Sequence, residues 1–132
     1  MIRPYHEDDF NAVTSLWFDA MQVAIPGLMK RMGYTLEGSR AYFKNGIAPE
    51  HQLWVYELES QPVAYLAIKD DFIDRLYVRP DLHRHGIGLA LLQHARSLSP
   101  NHLWLYTNTI NNMACAFYEK NGFVAEKYGM SP

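Results

Sequence analysis

The 132-residue chain has a single cysteine, Cys115. That excludes an intrachain disulfide and any cysteine-rich zinc module, and it suits a reducing compartment. Basic residues are in no excess either, with 12 Lys and Arg against 14 Asp and Glu. A general nucleic-acid binder shows a positive balance, so no nucleic-acid partner is expected. Apolar runs stay well short of the roughly 20 residues that cross a bilayer. The opening MIRPYHEDDF is charged where a signal peptide would be apolar. These absences lead to the expectation of a cytoplasmic protein with no membrane partner. No low-complexity tract, long charge run or internal repeat divides the chain, so residues 1–132 read as one domain with a core of its own.

Periodicity supplies the elements that are present. MIRPY reads as a short strand limited by Pro4, and Asp8 or Asp9 caps a helix on which Phe10, Val13, Trp17, Ala20 and Met21 recur at helical spacing. That helix is expected to end before Pro26, with a loop through Gly27 and Gly33 and a second helix over LEGSRAYFKNGI closed by Gly46. HQLWVYELE and PVAYLAIK flank an SQP break in the manner of a hairpin, and FIDRLYV continues as a third antiparallel strand. The remainder reads as helix GIGLALLQHARSL, strand LWLYTN, helix NNMACAFYEKN closed by Gly122, and strand FVAEKYG.

The informative stretch is LYVRPDLHRHGIGLALL, which puts Gly86 and Gly88 where a strand gives way to a helix. The first amides of a helix lack intrahelical partners, and the peptide dipoles make that end partly positive. Glycines there let an anion approach the backbone, while His83, Arg84 and His85 add charge or donors. Two nucleotide motifs fail. Gly88 is followed by Leu89 and Ala90 instead of the Lys and hydroxyl of a P-loop, and Leu91 stands where the dinucleotide fingerprint needs a third small residue. His83 and His85 alternate around Arg84, but spacing places no third ligand, so no metal is expected.

A second motif, NNMACAFYEKNGF, supplies Asn111, Ala114, Phe117, Tyr118, Gly122 and Phe123. Together with LYVRPDLHRHGIG it resembles the GNAT superfamily of acyl-coenzyme A-dependent N-acetyltransferases, with His83 standing where Arg or Gln is usual. The resemblance implies an α+β fold, a mixed and mostly antiparallel sheet of about six strands flanked by about four helices. It implies acetyl-coenzyme A as cofactor. Backbone groups of the strand before the turn, at Leu76, Tyr77 and Val78, would hold the pantetheine and the acyl carbonyl. Its pyrophosphate would sit on the amides of Arg84, His85, Gly86, Ile87, Gly88 and Leu89, beside His83. Asn111, Ala114 and Phe117 would line the cofactor arm, and Tyr118 would lie near the thioester sulfur. Acceptor selection would be sought between Met21 and Tyr34.

Acyl transfer to an amine calls for a proton donor to the leaving thiolate and an acceptor for the amine proton, because an alkylammonium of pKa near ~10 has no lone pair to offer. Tyr118 fits the first role. Asp74, two residues from Leu76 and so on its strand face, fits the second; Glu57, Glu59 and a backbone-bound water are alternatives, and Tyr77 points to the other face. A lone helical Cys115, without a thiol-enzyme pattern around it, reads as core. The function expected is acetyl transfer to a primary amine of a small molecule or peptide, by a monomer or homodimer. The alternative is a non-catalytic acyl-coenzyme A sensor, in which proton-transfer groups would serve no purpose. A tRNA-modifying member of the same superfamily would call for a basic face. Related folds carry one further strand, inserted between FVAEKYG and LWLYTN. The expectation is therefore that the strand at 123–128 is separated from that at 103–107, by a gap left by a lost natural extension or by a segment exchanged between subunits.

Overall fold

The computed structural model describes residues 1–107 and 111–124. Strand β1 (Ile2–Pro4) leads through a 3₁₀ turn at Glu7–Asp9 into helix α1 (Phe10–Ala24). The expected loop after it is instead helix α2 (Pro26–Met32). Pro26 takes its first turn, where the missing N–H has no intrahelical role, and Gly33 ends it in the left-handed region at φ +69°. Met29 is the residue that α2 buries. Helix α3 (Leu36–Tyr42) is capped by Thr35, whose Oγ1 accepts from Gly38 N at 3.0 Å. The backbone then widens into a π-helical turn, Phe43–Ile47, which buries Phe43 and Ile47. The helix expected over this stretch is thus two pieces, and Gly46 lies inside the second rather than closing the first.

Strands β2 (Gln52–Leu58), β3 (Gln61–Lys69) and β4 (Phe72–Val78) form an antiparallel meander, with β1 on the outer edge of β2. The hairpin turns at Glu59 and Ser60, both at positive φ, the pair of left-handed residues that suits the twist of a two-residue turn; Gln61 and Pro62 already belong to β3. Helix α4 (Ile87–Leu98) crosses over to β5 (Trp104–Leu105), which pairs parallel with β4, and α5 (Asn112–Lys120) follows. The result is a five-stranded mixed sheet in the order β1-β2-β3-β4-β5 among the described residues, with five α-helices where about four were expected. Residues 125–128 lie outside the described residues, and with them the expectation about a final strand.

Two apolar clusters clamp the sheet. On one face Leu66, Ile68 and Ile73 meet Leu91, Leu92 and Ala95 of α4. On the other, Val55, Tyr65 and Ala67 meet Val13 and Leu16 of α1 and Phe43 and Ile47. Strand β3 is therefore closed on both sides from Val63 to Ile68. The alternation of strand residues explains how one strand serves two cores.

The start of the chain is pinned by charge. Arg3 donates from Nη1 and Nη2 to the two oxygens of Asp9, each at 2.9 Å, and His6 N donates to Asp9 Oδ2 at 2.8 Å. The Arg3 guanidinium, with the His6 amide, holds the buried Asp9 carboxyl below its ordinary pKa. A depressed carboxyl pKa means that the stabilisation is complete above the unfolded-chain value of about 3.9 and is lost as pH falls through the folded value. Asp9→Asn should cost about 1–3 kcal/mol at pH 7. In urea unfolding at pH 7 and pH 3, the gap between wild type and variant should narrow at the lower pH, and a gap independent of pH would contradict this.

Candidate functional site

Strands β4 and β5 are paired at two positions, Phe72 with Trp104 and Ile73 with Leu105. A side-chain staple holds this closed end: Asp71 accepts from His102 Nδ1 at 2.9 Å and from Trp104 Nε1 at 3.0 Å, and its carbonyl accepts from Trp104 N. Among the described residues the pairing ends at Ile73 and Leu105, and a cleft opens beyond it. Ile73, Asp74, Leu76 and Tyr77 line one wall; Leu105, Tyr106 and Thr107 line the other; Asn111, Ala114 and Tyr118 close it. Parallel strands that part company leave backbone donors and acceptors along the cleft, which an extended polar ligand can satisfy.

Asp74 sits at a β-bulge. Ala67 pairs with Arg75 and Ile68 with Ile73, so Asp74 is the extra residue of β4. The bulge breaks strict alternation: Ile73 and Leu76, three apart, both pack toward α4. Simple parity therefore does not apply to Asp74, although it still lines the same cleft as Leu76. Its Oδ2 lies 2.8 Å from Nε2 of His51, a buried imidazole just before β2. His51 Nδ1 lies 2.8 Å from the carbonyl of Ile47. The imidazole thus spans the Ile47 carbonyl on one side and the Asp74 carboxylate on the other. Asp74 is thereby anchored by one oxygen, and Oδ1 has no protein donor among the described residues.

The turn before α4 has the form of an anion cradle. Leu82 N and His83 N bond back to Arg79 and Pro80, and the first bond of α4 runs from Ala90 N to Gly86 O. Between them, the amides of Arg84, His85, Gly86, Ile87, Gly88 and Leu89 make no backbone bond. Arg84 and Gly86 both lie at positive φ, a succession that turns neighbouring N–H groups inward. His83 Nε2 bonds the carbonyl of Val78 at 3.1 Å, tying the turn to the end of β4. The side chain of Ile87 is buried in the α4 cluster, so its amide alone is available to a ligand. A Cβ on Gly88 would lie 3.6 Å from the Phe117 ring and from Val78 Cγ2. Gly88 therefore lies in contact range of Phe117 and Val78, with room for a Cβ and little beyond it.

Helix α5 brings the second motif to the cleft. Asn111 caps it, its Oδ1 accepting from Ala114 N at 3.1 Å, so its side chain is partly committed to the helix. Tyr118 stands between Phe117 and Phe123, with ring centroids at 5.1 and 5.4 Å. Burial pushes the Tyr118 phenol well above its ordinary pKa, with Tyr77 as a lesser cause, so it stays a neutral proton donor. Burial raises Tyr77 likewise. Tyr77 packs on the α1 face against Trp17 and Tyr65, opposite Leu76 as expected, while its edge reaches the cleft.

The structure thus brings Asp74 and Tyr118 to one cleft and the amides of 84–89 to the following turn. Glu57 is tied to Arg3 Nε at 3.2 Å, and Glu59 forms the hairpin turn; neither lines the cleft. Sequence reasoning missed His51 and Arg75. His51 lies 23 residues from Asp74, and only the strand register joins them.

Residues 49–125 match the acetyltransferase (GNAT) domain family. The peptidyl-lysine N-acetyltransferase YjaB of Escherichia coli strain K12 is 38% identical over 76 residues, 57% of this chain and 51% of that protein. The chain spans about half the length of the curated YjaB relatives it matches. The peptidyl-lysine N-acetyltransferase YiaC of the same strain is 28% identical over 128 residues, covering 93% of this chain and 82% of that one. The solution structure of apo YjaB from Escherichia coli superimposes with a TM-score of 0.76 at 25% identity, covering 92% of this chain and 80% of the other. The PaiA N-acetyltransferase of Thermoplasma acidophilum, solved with coenzyme A, reaches 0.74 at 20% identity over 98% and 92% of the two chains. With the splayed strands, the amide cradle and the motif on α5 all falling within or beside the matched residues, the chain belongs to the GNAT acetyltransferase family.

Proposed function

We propose that this protein transfers an acetyl group from acetyl-coenzyme A to a primary amine by direct attack. The observation that carries the reading is the joint presence in one cleft of an anchored carboxylate, Asp74, and a buried neutral phenol, Tyr118, next to six unbonded amides at 84–89. The names of the relatives, peptidyl-lysine N-acetyltransferases, support an amine acceptor. A cofactor sensor would need the cradle alone.

Acetyl-coenzyme A supplies an activated acyl group and a thiolate leaving group. The amides of 84–89 fit its pyrophosphate, with Arg84 and His85 exposed beside them. Asp74 Oδ1 takes the proton that the attacking amine must lose, while His51 holds the carboxylate in place. Tyr118 gives its proton to the departing sulfur as the carbon–sulfur bond breaks, and recovers one from solvent. The balance is one amide and one thiol formed from one thioester and one amine. The backbone N–H groups of Leu76 and Val78 suit the acyl oxygen, where aimed N–H donors lower the barrier; the Val78 carbonyl is already engaged by His83.

Four variants test this. Gly88→Val should reduce acetyl-coenzyme A affinity about tenfold or more, since its Cβ branches crowd the turn beside Phe117 and Val78, where the pyrophosphate would approach the backbone. Calorimetry reads the affinity, and a preserved far-ultraviolet spectrum confirms the fold. Tyr118→Phe should leave that affinity unchanged and lower kcat about a hundredfold, the usual scale of lost acid catalysis. Thiol release from acetyl-coenzyme A is the assay, and equal rates would make Tyr118 a packing residue. Asp74→Asn should lower kcat/KM about a hundredfold and His51→Gln less, because the latter only loosens the carboxylate. A His51 variant more damaged than the Asp74 variant would reverse their roles.

A further inference from the structure

The residue after Asp74 is Arg75, 8% exposed, on the face of β4 that meets α1 and α3. Its guanidinium carbon lies 4.7 Å from the ring centroid of Trp17 and 5.4 Å from that of Tyr42. Nη1 donates to the Tyr65 hydroxyl at 3.2 Å. Among the described residues no carboxylate comes within ion-pair distance, because Asp74 is turned to His51. Nε and Nη2 make no hydrogen bond, yet they are not among the nitrogens sealed from solvent without a partner, which are Trp54 Nε1 and His94 Nε2.

An arginine is charged at every pH a protein meets, and a charge this deeply buried is as a rule paired. The two aromatic rings offset part of the desolvation cost, but they leave most of the planar fork of N–H donors unmatched. A carboxylate is the group that fits such a fork. The surroundings adjoin the cleft without lining it. Trp17 also touches Tyr77, with ring centroids at 6.3 Å, and Tyr77 lines the cleft that holds Asp74. Tyr42 has room because residue 46 is glycine; a Cβ there would come within 3.0 Å of its ring.

Resting on the transferase reading above, we propose that the acceptor amine also carries a carboxylate, which Arg75 receives while Asp74 takes the amine proton. Two sources share this chemistry, a free amino acid and an acidic side chain near a lysine in a peptide, and the test separates them. One arm pairs ω-amino carboxylates of graded length with the alkylamines that lack the carboxylate. The other pairs short lysine peptides carrying glutamate with the same peptides carrying glutamine.

In at least one arm, the carboxylate-bearing member should show kcat/KM about tenfold or more above its partner. Arg75→Met should bring that ratio to about one through KM, with acetyl-coenzyme A affinity unchanged, and Arg75→Lys should restore part of it. Ratios near one in both arms for the wild type would overturn the proposal. So would equal losses on both members of a pair in Arg75→Met, the mark of a merely structural arginine. If no amine in either arm is acetylated, the transferase reading has failed and the anion site is judged by binding. Intrinsic fluorescence with coenzyme A present, with Trp17→Phe as control, should then respond to the amino carboxylate or acidic peptide and not to its neutral partner. Loss of that response in Arg75→Met supports the site, and absence of any carboxylate-dependent response refutes it.

Discussion

The site depends on the way β4 leaves β5. Two residue pairs at 72–104 and 73–105, stapled by Asp71, hold the strands together, and past them the strands separate. A sheet that stayed paired would satisfy its own backbone and leave no room between strands. Here the bulge at Asp74 falls at the point of separation, so the change of direction and the placement of a carboxylate are one event. The amide turn at 84–89 then follows β4, and α5 delivers Tyr118 from the opposite wall.

The two faces of the sheet divide the work. The α4 face carries the turn at 84–89, and its apolar cluster fixes Ile87 and with it the start of the helix that follows the turn. The other face carries aromatic side chains of α1 and α3 around Arg75 and Tyr77. Asp74 and Tyr118 line the cleft where those faces meet. Arg96 reinforces the link between the helices by donating to the carbonyl of Asn121, just past the end of α5.

What the sequence made legible was local. Gly86 and Gly88 before an apolar run, and Asn111 to Phe123 on and beside one helix, each place their chemistry within a short stretch, so spacing alone locates it. The α2 segment was read as a loop because proline and glycine usually punctuate; here Pro26 opens a helix and Gly33 closes it. The face of Asp74 was inferred from strict alternation, which a one-residue bulge suspends. His51 and the aromatic surroundings of Arg75 come from three separate segments, and only the folded register brings them together. Pairings of that kind have no one-dimensional signature.

The burial of β3 on both faces has a consequence for divergence. Six consecutive residues, Val63 to Ile68, are shared by two cores, so almost any change along them is felt on both sides at once. The helices that lie on it are under no such double demand. Substitutions in α1, α2 and α3 can accumulate against a fixed wall without shifting the turn at 84–89 on its far side. A lineage built on this plan can therefore vary its helical face while the turn at 84–89 stays constant, with β3 as the slowly changing partition between the two histories.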